Sequence, residues 1–132
     1  MYTFHKEERL CNKKLIDGLF HNGSSFLCYP FKVSWAVAPA VQQMPAQVVF
    51  PVSKKRFRRA VQRNLIRRRM REAYRLHKQK HLYDNLIPAD QKLILSVSYI
   101  GKEITDYQFI EKKMIKLFDQ LCQAVIKNED AC

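Results

Sequence analysis

The groups best equipped for chemistry in this sequence stand in residues 54–75, KKRFRRAVQRNLIRRRMREAYR, where eleven of twenty-two positions are Lys or Arg and a single acid, Glu72, is admitted. At ~100° per residue on a helix, Arg63, Arg67, Arg71 and Arg75 form one i, i+4 column, with Asn64, Arg68 and Lys78 beside it. The other side carries Val61, Leu65, Ile66, Met70, Ala73 and Leu76, so this helix is predicted to lie on a sheet with its arginines outward. Arg69 projects toward the apolar side, and its stem is predicted to run along that edge. Each like-charge i, i+4 pair costs about 0.2–0.5 kcal/mol, so the column is a liability to the free protein. A polyanion removes that cost. Guanidinium forks bond phosphate oxygens in pairs, and the heavy choice of Arg over Lys points to phosphates as the ligand.

The charge balance of the whole chain agrees. Its 132 residues carry a net charge of +12, and residues 54–80 hold 13 Lys or Arg against Glu72, while the remainder holds 11 of each sign. A binding device is set into an electrically balanced scaffold. A solvated charged face normally mixes both signs for local pairing, and one acid cannot do that here. A membrane surface or a calmodulin-like protein would also accept a basic helix. A DNA reader needs varied polar side chains for base edges, and this helix offers mostly arginine. A phosphate-reading face next to an aromatic sheet favours folded or single-stranded RNA.

The elements that must hold this helix are legible in the periodicity. The length and the 47% apolar content suit one domain over residues 1–132. Residues 7–20 place Cys11, Leu15, Ile16, Leu19 and Phe20 at helical spacing, with Asn22-Gly23 as the stop. Residues 26–37 alternate with period two and are predicted to form one strand, with Leu27, Tyr29, Phe31, Val33, Trp35 and Val37 on one face. Pro30 marks an edge or a bulge in it. Residues 39–45 read as a turn and residues 47–52, QVVFPV, as a second strand antiparallel to the first. The basic helix is predicted to begin between Arg58 and Ala60 and to end near His77. Residues 92–100 form a further strand. Thr105 and Gln108 fit a capping box before a last helix with the stripe Tyr107, Ile110, Met114, Leu117, Leu121 and Val125. The expected class is an α/β (α+β) sandwich: a small mixed sheet, an amphipathic N-terminal helix, a basic crossover helix and a C-terminal helix.

At this point VSKK, residues 52–55, followed by AVQRNLIRRRMREAYR, residues 60–75, closely resembles the signature of the bacterial ribonuclease P protein component, and residues 7–26 resemble that family's first helix and Gly-Ser turn. The resemblance implies the small subunit of a ribozyme that removes the 5′ leader from precursor tRNA, with cutting done by RNA and not by protein residues. It implies a left-handed βαβ unit around the basic helix. It assigns contact with the catalytic RNA to Lys54, Lys55, Arg63, Asn64, Arg67, Arg68 and Arg71, and the charge run itself adds Arg58, Arg59 and Arg75 as candidate RNA contacts. The sequence departs from the family's Arg-Asn-Arg core at Leu65, has Ile16 where a Phe is usual, and lengthens the approach to the helix with residues 56–59.

The same resemblance implies a cleft between the first helix and the sheet for the single-stranded leader, lined by Phe20 and Ser25, with Phe26, Tyr29 or Phe31 supplying stacking area. No metal or other cofactor is expected on the protein, and magnesium is implied only through the RNA. His77 and His81 have i, i+4 spacing without the carboxylates or cysteines a metal site needs, and the acids do not cluster. Cys11, Cys28, Cys122 and Cys132 are widely spaced and are expected to be free thiols in a cytoplasmic protein. The expected partners are the catalytic RNA and precursor tRNA, with neither membrane nor DNA. A non-catalytic structural RNA-binding protein of ribosomal type is the alternative.

Overall fold

A computed structural model describes residues 8–10, 12–38, 44–88 and 92–130. Cys11, Cys132, residues 39–43 of the predicted turn and the start of the predicted first helix at residue 7 lie outside the described residues. The elements run α1 Lys13–Asn22, β1 Ser24–Cys28, β2 Phe31–Val37, β3 Ala46–Val49, α2 Ala60–Lys78, a π-helical turn Gln79–Tyr83, α3 Asp84–Leu86, β4 Leu93–Tyr99 and α4 Tyr107–Asp130. They build a mixed four-stranded sheet of order β1-β2-β4-β3, as the predicted sandwich requires.

Two strand expectations are corrected. Residues 26–37 are not one strand: they fold at Tyr29-Pro30 into an antiparallel hairpin of β1 and β2. Proline has no N–H to give to a ladder, so the chain turns there, and the Pro30 carbonyl instead accepts from Ile100 N at 2.8 Å. The hairpin register joins Ser24 to Trp35, Phe26 to Val33 and Leu27 to Lys32. Each pair couples an odd with an even position, so Leu27 shares a face with Lys32, and not with Phe31 as a continuous strand would have it. The second correction concerns β3, which pairs in parallel with β4 and not with β2. β3, α2 and β4 thus form a βαβ unit.

One sheet face carries the main core. Phe31, Val33, Trp35, Val48, Phe50, Leu95, Val97 and Tyr99 pack there against Ile66, Met70, Ala73 and Tyr74 of α2 and Ile110, Met114, Leu117, Phe118 and Leu121 of α4. Tyr74 is the hub, edge-on to Phe50 at 5.7 Å and to Phe118 at 5.6 Å between ring centroids. The other face carries α1, whose Leu15, Ile16 and Leu19 pack with Leu10 on Ile94, Ala36 and Val49.

The helix ends show which local rules won. α1 starts at Lys13, later than predicted, because the Asn12 side chain accepts from Lys14 N at 3.0 Å and Leu15 N at 3.3 Å. It stops at Gly23, where a Cβ would meet Leu19 O at 2.4 Å and Trp35 O at 3.1 Å, so only glycine admits this close approach of α1 to β2. The N-terminal cap of α4 is Asp106, not the predicted Thr105: Asp106 Oδ1 accepts from Phe109 N at 2.9 Å. Thr105 is engaged elsewhere, its hydroxyl 3.0 Å from that of Tyr99 and its carbonyl accepting from Arg69. The one arginine on the apolar edge of α2 therefore ties that helix to the loop before α4.

Candidate nucleic-acid interface

The segment between β3 and α2 sets the basic field in place. Phe57 is buried against Tyr99, with ring centroids 5.9 Å apart, and its N–H closes a turn onto Ser53 O at 3.0 Å. Arg56 donates to Ile100 O at 2.6 Å. The lengthened approach is thus a pinned loop with Lys54, Lys55, Arg58 and Arg59 exposed around it. Arg59 is the N-cap of α2, without a side-chain hydrogen bond and with no acid in the first turn. Positive side chains at the positive end of a helix dipole raise the local potential further, and an anion there relieves it.

Along α2 the predicted column is real, but its members differ in freedom. Arg63 donates to the carbonyls of Phe57 and Arg58 at 2.9 and 2.8 Å, holding the loop against the helix. Arg67 donates through Nε to Phe50 O at 3.3 Å and lies 3.5 Å from Asn64 Oδ1. Arg75 is ion-paired with Glu72, which holds the Glu72 carboxyl below its ordinary range. Each guanidinium has five donors, so bracing consumes only part of its capacity. Arg68 and Arg71 are exposed, and among the described residues neither they nor Lys54, Lys55, Arg58 or Arg59 have an ion-pair partner.

Two expected assignments on this helix fail. Val61 is 78% exposed and does not face the sheet; with Leu65 it lines a shallow groove beside Asn64 and Arg68. Lys78 is not an outward cation. It is buried, its ammonium paired with the fully buried Glu8 carboxylate, which also accepts from Tyr83 OH at 2.7 Å. Position 78 falls at the turn where α2 widens into its π-helical continuation, and a wheel drawn from residue 63 does not anticipate the segment around Glu8 that covers it. Burial beside this carboxylate pushes the Tyr83 hydroxyl well above its ordinary pKa, and burial does the same to Tyr74.

The sheet face under α1 holds part of the expected cleft. α1 covers Ile94, Ala36 and Val49 but leaves Ser25, Leu27 and Lys32 exposed on that face, with Phe20 54% exposed at the helix end. Tyr29, at the hairpin turn, is 58% exposed. Phe31 is corrected: it is 0% exposed in the opposite core, edge-on to Tyr99, with no surface to offer a base. Phe26 faces the same core and is half-buried against it. Sequence reasoning missed Leu27, 66% exposed, and its cross-strand neighbour Lys32. A hairpin read at Pro30 would have found both, since it reverses the phase of β1 against β2.

His77, one of the two histidines at i, i+4 spacing, is engaged by an acid of α4. It lies 3.0 Å from Glu111, which also accepts from Tyr107 OH at 3.1 Å. The histidine hydrogen bond lowers the Glu111 carboxyl, and burial with that acid next to it pushes Tyr107 up to about 12. Among the described residues no group of His, Cys, Asp and Glu could hold a metal ion, and no helix is long and apolar enough to cross a membrane. Cys28 and Cys122 are free and buried, and burial raises both thiols.

A pinned loop, a helix start without a side-chain cap and a basic face on which Arg68 and Arg71 have no ion-pair partner among the described residues are the features of an RNA-binding protein, and among those residues no group of His, Cys, Asp and Glu could hold a catalytic metal. Comparison with known proteins gives the family. The ribonuclease P family profile matches residues 4–122. The ribonuclease P protein component of Porphyromonas gingivalis is 31% identical over 134 residues, covering 97% of this chain and 96% of the relative. That of Chlorobium phaeobacteroides is 34% identical over 128 residues, covering 90% and 88%. Among solved structures, the ribonuclease P protein from Thermotoga maritima superposes with a TM-score of 0.68 at 20% identity, covering 86% of this chain and 96% of that one. The Staphylococcus aureus protein gives 0.64 at 20%, covering 81% and 88%. The chain belongs to the bacterial ribonuclease P protein component family, and so is the protein part of a ribonucleoprotein endoribonuclease in which catalysis resides in the RNA.

Proposed function

We propose that this chain binds the catalytic RNA through Lys54, Lys55, Arg58, Arg59 and the outer face of α2, and receives the 5′ leader of precursor tRNA on the open sheet face beside α1. The observation that carries this reading is the division of exposed groups between two sides. Cations without an ion-pair partner among the described residues crowd α2 and its approach loop, whereas the open sheet face by the C-terminal end of α1 presents Phe20 and Leu27 with Lys32, and Lys13 and Lys14 stand at the other end of that helix. The first set suits a folded polyanion. The second suits a single strand, with apolar surface for bases of any identity and one ammonium for a phosphate. Ser25 and Tyr29 flank that surface. Magnesium acts through the RNA, and the buried thiols suit a reducing cytoplasm.

The test is reconstitution with the cognate catalytic RNA at low magnesium. The protein is expected to raise the rate of leader removal above that of RNA alone; no gain would leave only a structural RNA-binding role. Phe20→Ala is expected to retain binding to the catalytic RNA and to lose about 1–3 kcal/mol of the preference for precursor over mature tRNA. Equal weakening on both tRNAs would defeat the cleft assignment.

A further inference from the structure

The proposed cleft ends at β1, the outermost strand, and a second group of cations stands on the far side of that strand. Leu27 points into the open face, while the next residue, Cys28, points the other way and donates from Sγ to Lys113 O of α4 at 3.8 Å. One residue of an edge strand therefore separates the cleft from α4. Lys112 and Lys116 are exposed and Lys113 is half-buried with its ammonium 5.6 Å from the Phe109 ring centroid. Together with His81, Ile115 and Asp119 these lysines line one groove.

Their placement on the helix is one-sided. At ~100° per residue, Lys112 and Lys116 stand opposite Met114, Leu117 and Leu121, and Lys113 lies at the edge of that buried stripe, beside Leu117 and toward β1. Lys112 and Lys116 are an i, i+4 like-charge pair, the same unfavourable spacing that the arginine column shows. Among the described residues none of the three lysines has an ion-pair partner. Asp119 in the same groove makes no ion pair with them.

This field is separate from that of α2. At the junction of the two helices Glu72 is tied to Arg75, and Glu111 to His77 and Tyr107, so a seam of compensated charge lies between the arginines and the lysines. A polyanion lying along α2 does not neutralise α4.

We infer that Lys112, Lys113 and Lys116 hold phosphates of the upstream part of the leader after it has crossed the β1 edge, so that the protein distinguishes long leaders from short ones. This rests on the cleft reading and extends it. The occupant is single-stranded RNA because the field begins one residue of β1 away from the proposed leader cleft, and because ammonium groups without a planar fork pair with phosphates as point charges rather than reading bases.

The experiment uses the reconstituted holoenzyme and two precursor tRNAs, one with a leader just spanning the cleft and one extended by a further stretch of unstructured nucleotides. Replacing all three lysines by glutamine is expected to abolish the extra affinity of the long leader and to lower its salt slope by about two units, at ~0.7 per phosphate on a single strand. Short-leader affinity is expected to hold. The exposed pair alone, Lys112→Gln with Lys116→Gln, is expected to give a proportionate part of that effect and guards against misfolding of the triple variant. Equal weakening of both substrates, or of neither, overturns the inference. Phe20→Ala in parallel separates the two ideas: if it impairs both leaders while the lysine variants change nothing, the cleft stands and the α4 extension falls; if it impairs neither, the cleft itself falls.

Discussion

Replacing Lys78 with alanine is expected to lower the free energy of unfolding by about 3–5 kcal/mol, because it removes the ammonium that is paired with the buried Glu8 carboxylate. The ammonium and the carboxylate are almost completely enclosed, with side-chain exposures of 3% and 0%. The Tyr83 hydroxyl still donates to Glu8, but a neutral donor cannot offset the desolvation of a charge. A domain of this size has about 5–15 kcal/mol in hand, so the variant should be close to unfolding at 37 °C. Changing both partners, Lys78→Met with Glu8→Gln, removes the charges together and is expected to recover most of the loss. Denaturant midpoints of the single and double variants decide it. A single variant that melts within about 1 kcal/mol of the parent would mean that water reaches the pair and that position 78 is an ordinary surface lysine.

Arg71→Ala is expected to move stability and RNA binding in opposite directions. The side chain is exposed, braces nothing, and stands four residues from both Arg67 and Arg75. Its removal relieves two like-charge pairs and should stabilise the free protein by about 0.4–1 kcal/mol. The same change should weaken binding to the catalytic RNA and reduce the salt slope of that binding by about one unit. Arg67→Ala is the informative contrast. It deletes the bond to the Phe50 carbonyl as well, so it should lose RNA affinity without the gain in stability. A slope unchanged in both variants would move the RNA contact away from this column.

The basic helix was legible because charge is a composition signal and the apolar positions repeat at helical spacing; its bounds at Ala60 and Lys78 lie within a residue of those expected. The strand β4 and the stripe of α4 were legible for the same reason. Pairing was not. Period two tells that a segment is extended, but direction and partner depend on contacts distant in sequence, so β3 was assigned to the wrong neighbour. The hairpin was hidden by an apolar alternation that continues in step through Tyr29-Pro30, although the proline itself is the break. That one omission carried Phe31 into the expected cleft and kept Leu27 and Lys32 out of it. Tyr74, central to the core, carries a hydroxyl and did not register as part of an apolar stripe. Lys78 shows the limit of a helical wheel, which knows nothing of what else folds against it.

The acid pairs at the junction of α2 and α4 act as an insulator between two conductors. Because Arg75 and His77 hold the Glu72 and Glu111 carboxyls below their usual titration range, the insulation persists as the pH falls into the range where ordinary surface acids take up protons. Below that range the two cationic areas fuse into one sheet. Nucleic acid should then bind the helical side with less discrimination, and chromatography on a polyanionic resin should show retention rising as these carboxylates take up protons.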